Sequence, residues 1–396
     1  MGATVRRVSL RASRSDARAG ILLILLPFLL LFIGDMQVPV GVSKATIPMG
    51  MFIVFPLLFM CMALPRIVVP TTALLLLGTL FFGAIGALLT PESEYLRAVA
   101  GALPLLYAIC TLMLYAQFYR SIKVEWAVRM MLAGGAVLAL VVIGLFIVAT
   151  LSPGNYYEQK LLIETPLGRS NYLAAFLIFL FALALTRSWL LPWLFAIAVF
   201  CTMSRGGILM FLFFLVALHM EKRRLLWLAW LVPLLAFVVA TLLASAGFHS
   251  YIQGYEGAYA GEVLSATNRL LLWSFGFDIW VHHPWFGIGP NTLRTFIELS
   301  PGIENVWGAH NSVIQMLLNY GLFGTIVYCL YIREIYMRLR HAELTAPWFR
   351  YLRVVFVVLQ VFGLFEPLVG SAAFEVLLVF ILILASRQVS SPARIG

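Results

Sequence analysis

Charged side chains are scarce in this sequence. Asp, Glu, Lys and Arg make up 11% of its 396 residues, while 62% are hydrophobic. A soluble chain of this length would be about a quarter charged, because charged residues supply much of a wettable surface. A soluble globular protein is therefore excluded, and most of the surface must face lipid. In that setting, the formal net charge of +10 indicates membrane topology and anionic headgroups rather than nucleic acid.

Cysteines and processing signals are also sparse. The four cysteines lie within apolar runs and have no CxxC spacing. They indicate small core side chains and neither a disulfide framework nor a metal site. Residues 1–20 contain five arginines and one acid and lead directly into an apolar run at 21–33. Because no small-x-small cleavage site follows and no myristoylation pattern is present, we predict an uncleaved first membrane helix.

Apolar runs of spanning length predict an all-α polytopic membrane protein with about twelve transmembrane helices. The runs fall at 21–38, 47–64, 67–89, 96–118, 124–151, 171–186, 189–203, 206–220, 225–247, 312–336, 351–368 and 370–386. The predicted organisation is a basic N-terminus at 1–20, nine helices over 21–247, a large loop at 248–311, three helices over 312–386 and a tail at 387–396. A second, shorter loop covers 152–170. No internal repeat or low-complexity segment is visible.

The basic residues indicate the orientation. With an N-terminus inside and twelve spans, twenty of the 27 Lys and Arg residues lie on the inner side, as the positive-inside rule requires. Both termini are then cytoplasmic, and both long loops face the periplasm or the cell exterior. The seven basic residues on the outer side are Lys44, Arg97, Lys160, Arg169, Arg205, Arg269 and Arg294. We interpret Lys44 and Arg97 as solvated loop charges, and the other five as functional candidates.

The segment from Ser204 to Gly207 forms a predicted outer turn before a helix. Ser204 is a suitable N-cap, and glycine at 206 and 207 permits close approach of another chain or a ligand. Arg205 at a helix N-terminus adds positive charge to the positive end of the helix dipole, which is unfavourable unless an anion binds there. The alternative is an arginine that extends to lipid headgroups. We favour an anion site.

His310 lies where the large loop re-enters the membrane as a new helix, with Asn311 or Ser312 as the expected N-cap. The positive helix end disfavours a protonated imidazole, so we expect a neutral side chain that can accept a proton. A structural interfacial histidine is the alternative. The position at the end of the large loop favours the functional interpretation.

Arg269 begins a predicted amphipathic helix in the same loop. Leu270, Trp273, Phe277 and Trp280 recur at helical spacing, which indicates a helix on the outer membrane interface. An interfacial anchor is the competing interpretation of Arg269. The following His282-His283 pair has no acidic or cysteine partner at ligand spacing, so a metal site is not favoured.

Four motifs in this order resemble the O-antigen ligase/polymerase family over about residues 200–330. They are Ser204-Arg205-Gly206, Arg269-x3-Trp273, His283-Pro284-x2-Gly287-x-Gly289-Pro290, and His310-Asn311-x3-Gln315-x4-Tyr320-Gly321-x2-Gly324. Asn291 stands where the family often has glycine, and asparagine tolerates the same backbone region. Outside this region, the likeness extends only to hydropathy.

The resemblance implies a GT-C-type membrane glycosyltransferase whose donor is a glycan on undecaprenyl diphosphate. Within the family, the chain looks most like an O-antigen ligase, which transfers the glycan to a terminal sugar of lipid A–core oligosaccharide in lipopolysaccharide biosynthesis. The implied partners are these two glycolipids and membrane lipids, with no nucleic acid. The resemblance implies neither a metal nor a nucleotide cofactor.

The candidate residues suit this chemistry. A diphosphate leaving group needs cations to hold it and absorb developing charge. Arg205 and Arg269 are the first candidates, followed by Arg294, Arg169 and Lys160. His310 is the candidate base for the attacking sugar hydroxyl. The absence of a paired-carboxylate motif fits a one-step displacement with inversion, although Glu256, Glu262 and Glu304 in the loop remain alternatives.

Three other functions remain open from the sequence. An O-antigen polymerase shares the same motifs, and a protein O-oligosaccharyltransferase is disfavoured mildly by the lack of an additional C-terminal domain. A secondary transporter also fits twelve spans with both termini inside. The transporter is disfavoured because no repeat relates the two halves and the polar residues of interest cluster on the outer side. A purely structural scaffold would not need Arg205, Arg269 and His310 on one side.

Overall fold

The computed structural model describes most of the chain between residues 35 and 390. The described ranges are 35–40, 43–62, 69–92, 94–118, 123–153, 156–165, 167–168, 170–222, 260–298 and 309–390. The two strands are β1 (Asp35–Val40) and β2 (Ser43–Pro48). The helices before the large loop are α1 (Met51–Met62), α2 (Thr71–Leu89), α3 (Tyr95–Phe118), α4 (Val124–Leu151), α5 (Tyr156–Leu161), α6 (Ser170–Ala184), α7 (Leu191–Cys201) and α8 (Arg205–Lys222). The later ones are α9 (Ala260–His282), α10 (Leu293–Glu298), α11 (Ser312–Thr345), α12 (Phe349–Phe362) and α13 (Ala372–Ser390).

The structure confirms a mostly helical chain of the multi-pass type. Among the described helices, five are long and apolar enough to cross a membrane. They are α2, α3, α4, α11 and α13. Helices α6 and α7 are apolar but shorter. The total of twelve spans stays a prediction, and the predicted span at 225–247 lies outside the described residues.

One departure from the all-α prediction is the β-hairpin at 35–48. Its strands pair antiparallel, with Asp35 opposite Pro48 and Val40 opposite Ser43. The hairpin occupies the end of the predicted span at 21–38 and the first residues of the next one. These strands contain several β-branched residues, which suit a pleated backbone. Averaging hydropathy over a membrane-length window concealed this local preference.

Helix α11 is the central element of the described bundle. It packs most extensively against α2 and also contacts α9, α12 and α13. Small residues on α2 permit the close approach: a Cβ added at Gly83 would lie 2.6 Å from the Tyr320 ring of α11. Helices α6, α7 and α8 pack together beside α12.

The backbone of α11 is broken at Gly321, whose φ of 63° and ψ of −170° are not helical. The loop segment 284–288 lies in the break. Leu322 N donates to Pro284 O at 2.8 Å, and Phe323 N donates to Trp285 O at 3.2 Å. In return, Ile288 N donates to Leu318 O at 2.7 Å. These bonds satisfy backbone groups that an unbroken helix would satisfy internally.

The glycines of the third motif make this docking possible. A Cβ at Gly287 would lie 2.2 Å from Leu318 O, and one at Gly289 would lie 2.6 Å from the Ala87 side chain of α2. Asn291 has a φ of 60°, the left-handed backbone region that asparagine tolerates. The motif therefore fixes the loop against α2 and α11.

The opposite ends of three helices are joined by an ion-pair cluster. Arg353 of α12 pairs with Glu221 of α8 and, at 2.7 Å, with Glu343 of α11. Arg353 and Glu221 also share a hydrogen bond. Since Arg353 is near the start of α12 while the two glutamates are near the ends of α8 and α11, α12 runs antiparallel to both. The start of α8, the start of α11 and the end of α12 therefore lie at the other end of the bundle.

Candidate active site

The turn between α12 and α13 contains a buried carboxylate, Glu366. Only 4% of the residue is exposed. Its main chain is fixed to the start of α11, because Ser312 Oγ donates to Glu366 O at 3.0 Å and Asn311 Nδ2 donates to Leu364 O at 2.9 Å. Tyr172 of α6 donates to Pro367 O at 3.0 Å. The turn is thus held from two sides, with its carboxylate enclosed between helix ends.

Arg269 of α9 binds this carboxylate directly. Its Nη2 donates to Glu366 Oε1 at 2.7 Å, and its Nη1 donates to Phe365 O at 3.3 Å. The side chain of Arg269 is 32% exposed while that of Glu366 is 5% exposed. The guanidinium therefore reaches the open side of the site, and the carboxylate lies behind it.

The helix that carries Arg269 is longer than expected and buries a different stripe. Leu272, Trp273 and Ile279 are buried, and Gly276 contacts α11, whereas Phe277 is 54% exposed. The expected stripe was correct at Trp273 and wrong at Phe277. The reason is that α9 packs against α11, so the neighbouring helix rather than the membrane interface determines which face is covered.

His310 faces the second oxygen of the same carboxylate. Its Nδ1 lies 3.6 Å from Glu366 Oε2, and the His310 side chain is 35% exposed. This Nδ1 is a buried atom without a hydrogen-bond partner in the described part of the chain. The backbone of His310 has a φ of 48°, a left-handed conformation that is uncommon outside glycine. An orientation held at this cost is typical of functional sites.

The residues around His310 explain how that orientation is maintained. Asn311 is the N-cap of α11, and its Oδ1 accepts from Val313 N at 2.9 Å and Ile314 N at 3.1 Å. Gln315 Oε1 accepts from Ala309 N at 2.9 Å. The polar residues of the His310 motif therefore fix the backbone on both sides of the imidazole.

A hydrogen-bonded path connects Glu366 to the start of α8. Asn171 Nδ2 donates to Glu366 Oε1 at 2.5 Å, and Ser204 Oγ donates to Asn171 Oδ1 at 2.5 Å. Ser204 Oγ also accepts from Gly207 N at 2.8 Å, which caps α8 as the sequence predicted. Arg205 is the first residue of that helix and is exposed.

Lys160 of α5 lies within electrostatic reach of the same group. Burial lowers the pKa of its ammonium, and the positive charges of Arg269 and Arg205 lower that pKa further, while Glu366 opposes the change. Lys160 therefore interacts electrostatically with Glu366, Arg269 and Arg205. A diphosphate entering this site would meet charge that the protein has only partly neutralised.

The remaining outer cations have different positions. Arg97 is 3% exposed, pairs with Glu94 at 2.8 Å and donates to Thr295 of α10 at 3.1 Å. The interpretation of Arg97 as a solvated charge is therefore wrong, because α10 covers it. Arg294 lies on α10, and its role stays a prediction. Several other candidates lie outside the described residues or have undescribed side chains: Lys44, Arg169, Glu256, Glu262 and Glu304.

The described residues contain no group of three or more His, Cys, Asp and Glu that would hold a metal ion. His282 Nδ1 contacts the backbone oxygen of Asp278 at 2.9 Å, and the His283 ring packs against Phe296. Cys110 and Cys201 are buried and Cys329 is exposed, all as free thiols.

Sequence reasoning missed Glu366 and Asn171. Glu366 was included within the predicted span at 351–368, and Asn171 began the predicted span at 171–186. The sequence contained a signal for Glu366. A lone acid followed by proline at the outer end of an apolar run is costly in a membrane, and such residues are usually functional.

These contacts belong to a mostly helical chain of the multi-pass type, in which Arg269 and His310 flank a buried carboxylate at one end of the described bundle. The comparison with known families agrees. Residues 190–329 match the family model described as O-antigen ligase. Over that segment the chain is similar to the O-antigen ligase family, as its motifs had indicated. Members of this family are glycosyltransferase-like enzymes of O-antigen or glycan ligation.

The matched segment contains Arg205, Arg269 and His310, whereas Lys160 and Glu366 lie outside it. A search of curated proteins gave no match.

Proposed function

We propose that this protein is an O-antigen ligase, which transfers a glycan from undecaprenyl diphosphate to a terminal sugar of lipid A–core oligosaccharide. The observation that supports this proposal best is the gathering of Arg269, His310 and Lys160 around one buried carboxylate. They come from three separate elements and meet at one end of the bundle. In the proposed topology, that end faces the periplasm across the bacterial inner membrane.

The donor's diphosphate binds to the basic side chains. Arg269 presents a guanidinium at the open side of the site, and Arg205 adds its charge to the N-terminal end of α8. Guanidinium groups bind phosphate oxygens with two parallel hydrogen bonds. Lys160 contributes a third positive charge, and Arg169 and Arg294 are further candidates. These cations stabilise the negative charge that develops as the leaving group departs.

The acceptor hydroxyl attacks the anomeric carbon on the face opposite the diphosphate. A carbon–oxygen bond forms to the acceptor while the bond to the phosphate oxygen breaks, so the anomeric configuration inverts. His310 accepts the hydroxyl proton, and undecaprenyl diphosphate leaves with the electron pair of the broken bond. The partly exposed imidazole satisfies the requirement that a general base reach the substrate.

The first prediction concerns His310. His310→Ala should reduce the transfer rate by roughly 10²–10⁴-fold, the usual contribution of a positioned general base. The measurement is glycan transfer by purified protein in vesicles that contain lipid-linked glycan and lipid A–core. His341→Ala is the matched control, because it removes an exposed imidazole near the far end of the same helix. Transfer by the His310→Ala protein within a few-fold of wild type would exclude this base.

Arg269→Ala should weaken use of the donor in the same assay. We expect a loss of roughly 10²–10³-fold in kcat/KM, as for the removal of one preorganised donor to developing negative charge. Arg340→Ala, an exposed arginine near the far end of α11, is the control. An unchanged kcat/KM for the lipid-linked donor would contradict the assignment.

Acceptor choice separates the ligase from its nearest alternatives. A ligase requires lipid A–core, whereas an O-antigen polymerase would extend lipid-linked repeat units in its absence. A protein O-oligosaccharyltransferase would glycosylate a polypeptide. Solute movement without a glycan product would favour a secondary transporter and would overturn the proposal.

A further inference from the structure

Glu366 places a negative charge in a site that the proposed function requires to bind an anion. A buried carboxylate is costly unless it is paired, and here one oxygen is hydrogen-bonded while the other faces an imidazole nitrogen at 3.6 Å. Oε1 accepts from Arg269 and Asn171, and Oε2 faces His310. One oxygen is thus directed at the diphosphate-binding side chain and the other at the candidate base.

The position of the carboxylate explains why it does not exclude the donor. The Glu366 side chain is 5% exposed, whereas those of Arg269 and His310 are 32% and 35% exposed. The two functional side chains are therefore much more accessible than the carboxylate that they contact. A carboxylate enclosed in this way can orient its partners without occupying the space that a substrate needs.

The carboxylate also has little freedom to move. Ser312 Oγ donates to Glu366 O and accepts from Val369 N, and Asn311 Nδ2 donates to Leu364 O. The start of α11 therefore holds the turn on both sides of Glu366. Glu375 Oε1 accepts from Gly370 N at 3.0 Å, which fixes the end of the turn to α13. A group held by this many bonds can determine the geometry of others.

We propose that Glu366 is a positioning residue that fixes both the Arg269 guanidinium and the His310 imidazole. With a proton on Nδ1 facing Glu366, the lone pair of His310 lies on Nε2, the nitrogen available to the acceptor hydroxyl. The path through Asn171 and Ser204 extends the same framework to the start of α8 and Arg205. This inference rests on the proposed function and adds a residue outside the segment matched to the O-antigen ligase family.

Glu366→Gln tests the proposal, because it removes the charge and keeps the size of the side chain. We expect kcat for glycan transfer to fall by about 100-fold or more, since a neutral amide no longer selects the correct imidazole tautomer. KM for the lipid-linked donor should change by less than about tenfold, because Arg205 and Lys160 remain. Glu366→Asp keeps the charge and should restore kcat to within about tenfold of wild type.

Glu334→Gln is the matched control. Glu334 pairs with Arg338 at 2.7 Å in the second half of α11, away from the site. Its substitution removes an ion-paired carboxylate of the same type and should leave kcat unchanged.

A spectroscopic readout separates positioning from a general structural role. In protein labelled with ¹⁵N-histidine, the His310 signal is the one that disappears in the His310→Ala variant. We expect the wild-type protein to carry its proton on Nδ1 and Glu366→Gln to shift the population toward Nε2–H. Melting temperatures in detergent show which variants fold. If Glu366→Gln does not fold, Glu366→Ala, which also removes the charge, is used for the same two measurements.

Two results have distinct meanings. Wild-type kcat and an unchanged tautomer in a folded Glu366 variant that lacks the charge, with His310→Ala inactive, would overturn the positioning role and leave the proposed function intact. An active His310→Ala protein would instead remove the base, and with it the reason for positioning that base.

Discussion

At the residue scale, the site consists of basic side chains near one buried carboxylate, Glu366, which compensates their charges to different degrees. Burial disfavours each ion separately, but the Arg269 guanidinium lies within hydrogen-bond range of Glu366 and stabilises its charge. Arg269 has its charge directly balanced by that carboxylate. Lys160 is less well compensated, as the downward change in its pKa shows. Because its pKa is lowered by burial, Lys160 has a larger fraction of neutral amine than an exposed lysine at the same alkaline pH.

That property of Lys160 gives a chemical prediction. An amine reacts with acylating reagents only when deprotonated, so a lowered pKa makes the labelling rate level off at a lower pH. Peptide mass spectrometry across a pH series should show this for Lys160 relative to exposed Lys123. Added undecaprenyl diphosphate should slow labelling at Lys160 alone, because the bound anion favours the ammonium form and covers it. Matching pH profiles for the two lysines, with no protection, would contradict the assignment.

At the element scale, α11 shows why a break in a membrane helix can be stable. Gly321 interrupts the helix, and the segment 284–288 supplies backbone partners on both sides of the interruption. These backbone hydrogen bonds between segment 284–288 and α11 require the main-chain atoms to approach more closely than a Cβ atom would allow. A Cβ at Gly321 would lie 2.3 Å from the Trp285 carbonyl and from Phe286 N.

Gly321→Ala should therefore destabilise the protein strongly. The left-handed backbone alone costs a non-glycine residue about 1–2 kcal/mol, and the clash adds to that cost. We expect a lower melting temperature in detergent and reduced glycan transfer, because α11 also carries His310 at its start. Gly144→Ala is the control: it lies on α4 with no atom within 4 Å of the added Cβ. Equal melting temperatures for the two variants would mean that the break is not tightly packed.

The difference between local and long-range interactions explains what the sequence could predict. Long apolar runs determined α2, α3, α4 and α11 to within a few residues at their starts, because helix formation in lipid follows from local hydropathy. The order of the four motifs predicted Arg205, Arg269 and His310 as site residues. The contact with Glu366 was not predictable, since it depends on how the α12–α13 turn meets α6, α9 and α11. The β1–β2 hairpin and the burial of Arg97 were missed for the same reason.

At the scale of the whole molecule, the described contacts separate into two sets. Residues predicted on the outer side meet one another, as at Glu366 and as in the bond from Arg97 to Thr295. Residues predicted on the inner side do likewise, as in the Arg353 cluster and the stacking of Arg187 on Trp348 at 5.2 Å. This sorting agrees with the predicted division of the chain into two sides, and it does not depend on which side is the outer one.

Cysteine labelling in cells tests that orientation. In a variant with the four native cysteines replaced by alanine, Glu92→Cys lies in the exposed turn between α2 and α3, and Leu344→Cys lies at the exposed end of α11. A membrane-impermeant maleimide added after outer-membrane permeabilisation should label position 92 only. Position 344 should react after the inner membrane is opened. The reverse pattern would place the site in the cytoplasm and would contradict a periplasmic glycan transfer.

The docked segment 284–288 also has a consequence for evolution and for engineering. Its attachment to α11 uses carbonyl oxygens and amide hydrogens, which every residue type except proline supplies in full. Side chains such as those of Trp285 and Phe323, which are at least 40% exposed, can therefore be exchanged while the path of the chain stays the same. Gly287 and Gly321 cannot be exchanged in this way. Mutational libraries aimed at new glycolipid substrates should vary the exposed aromatic positions and leave these glycines unchanged.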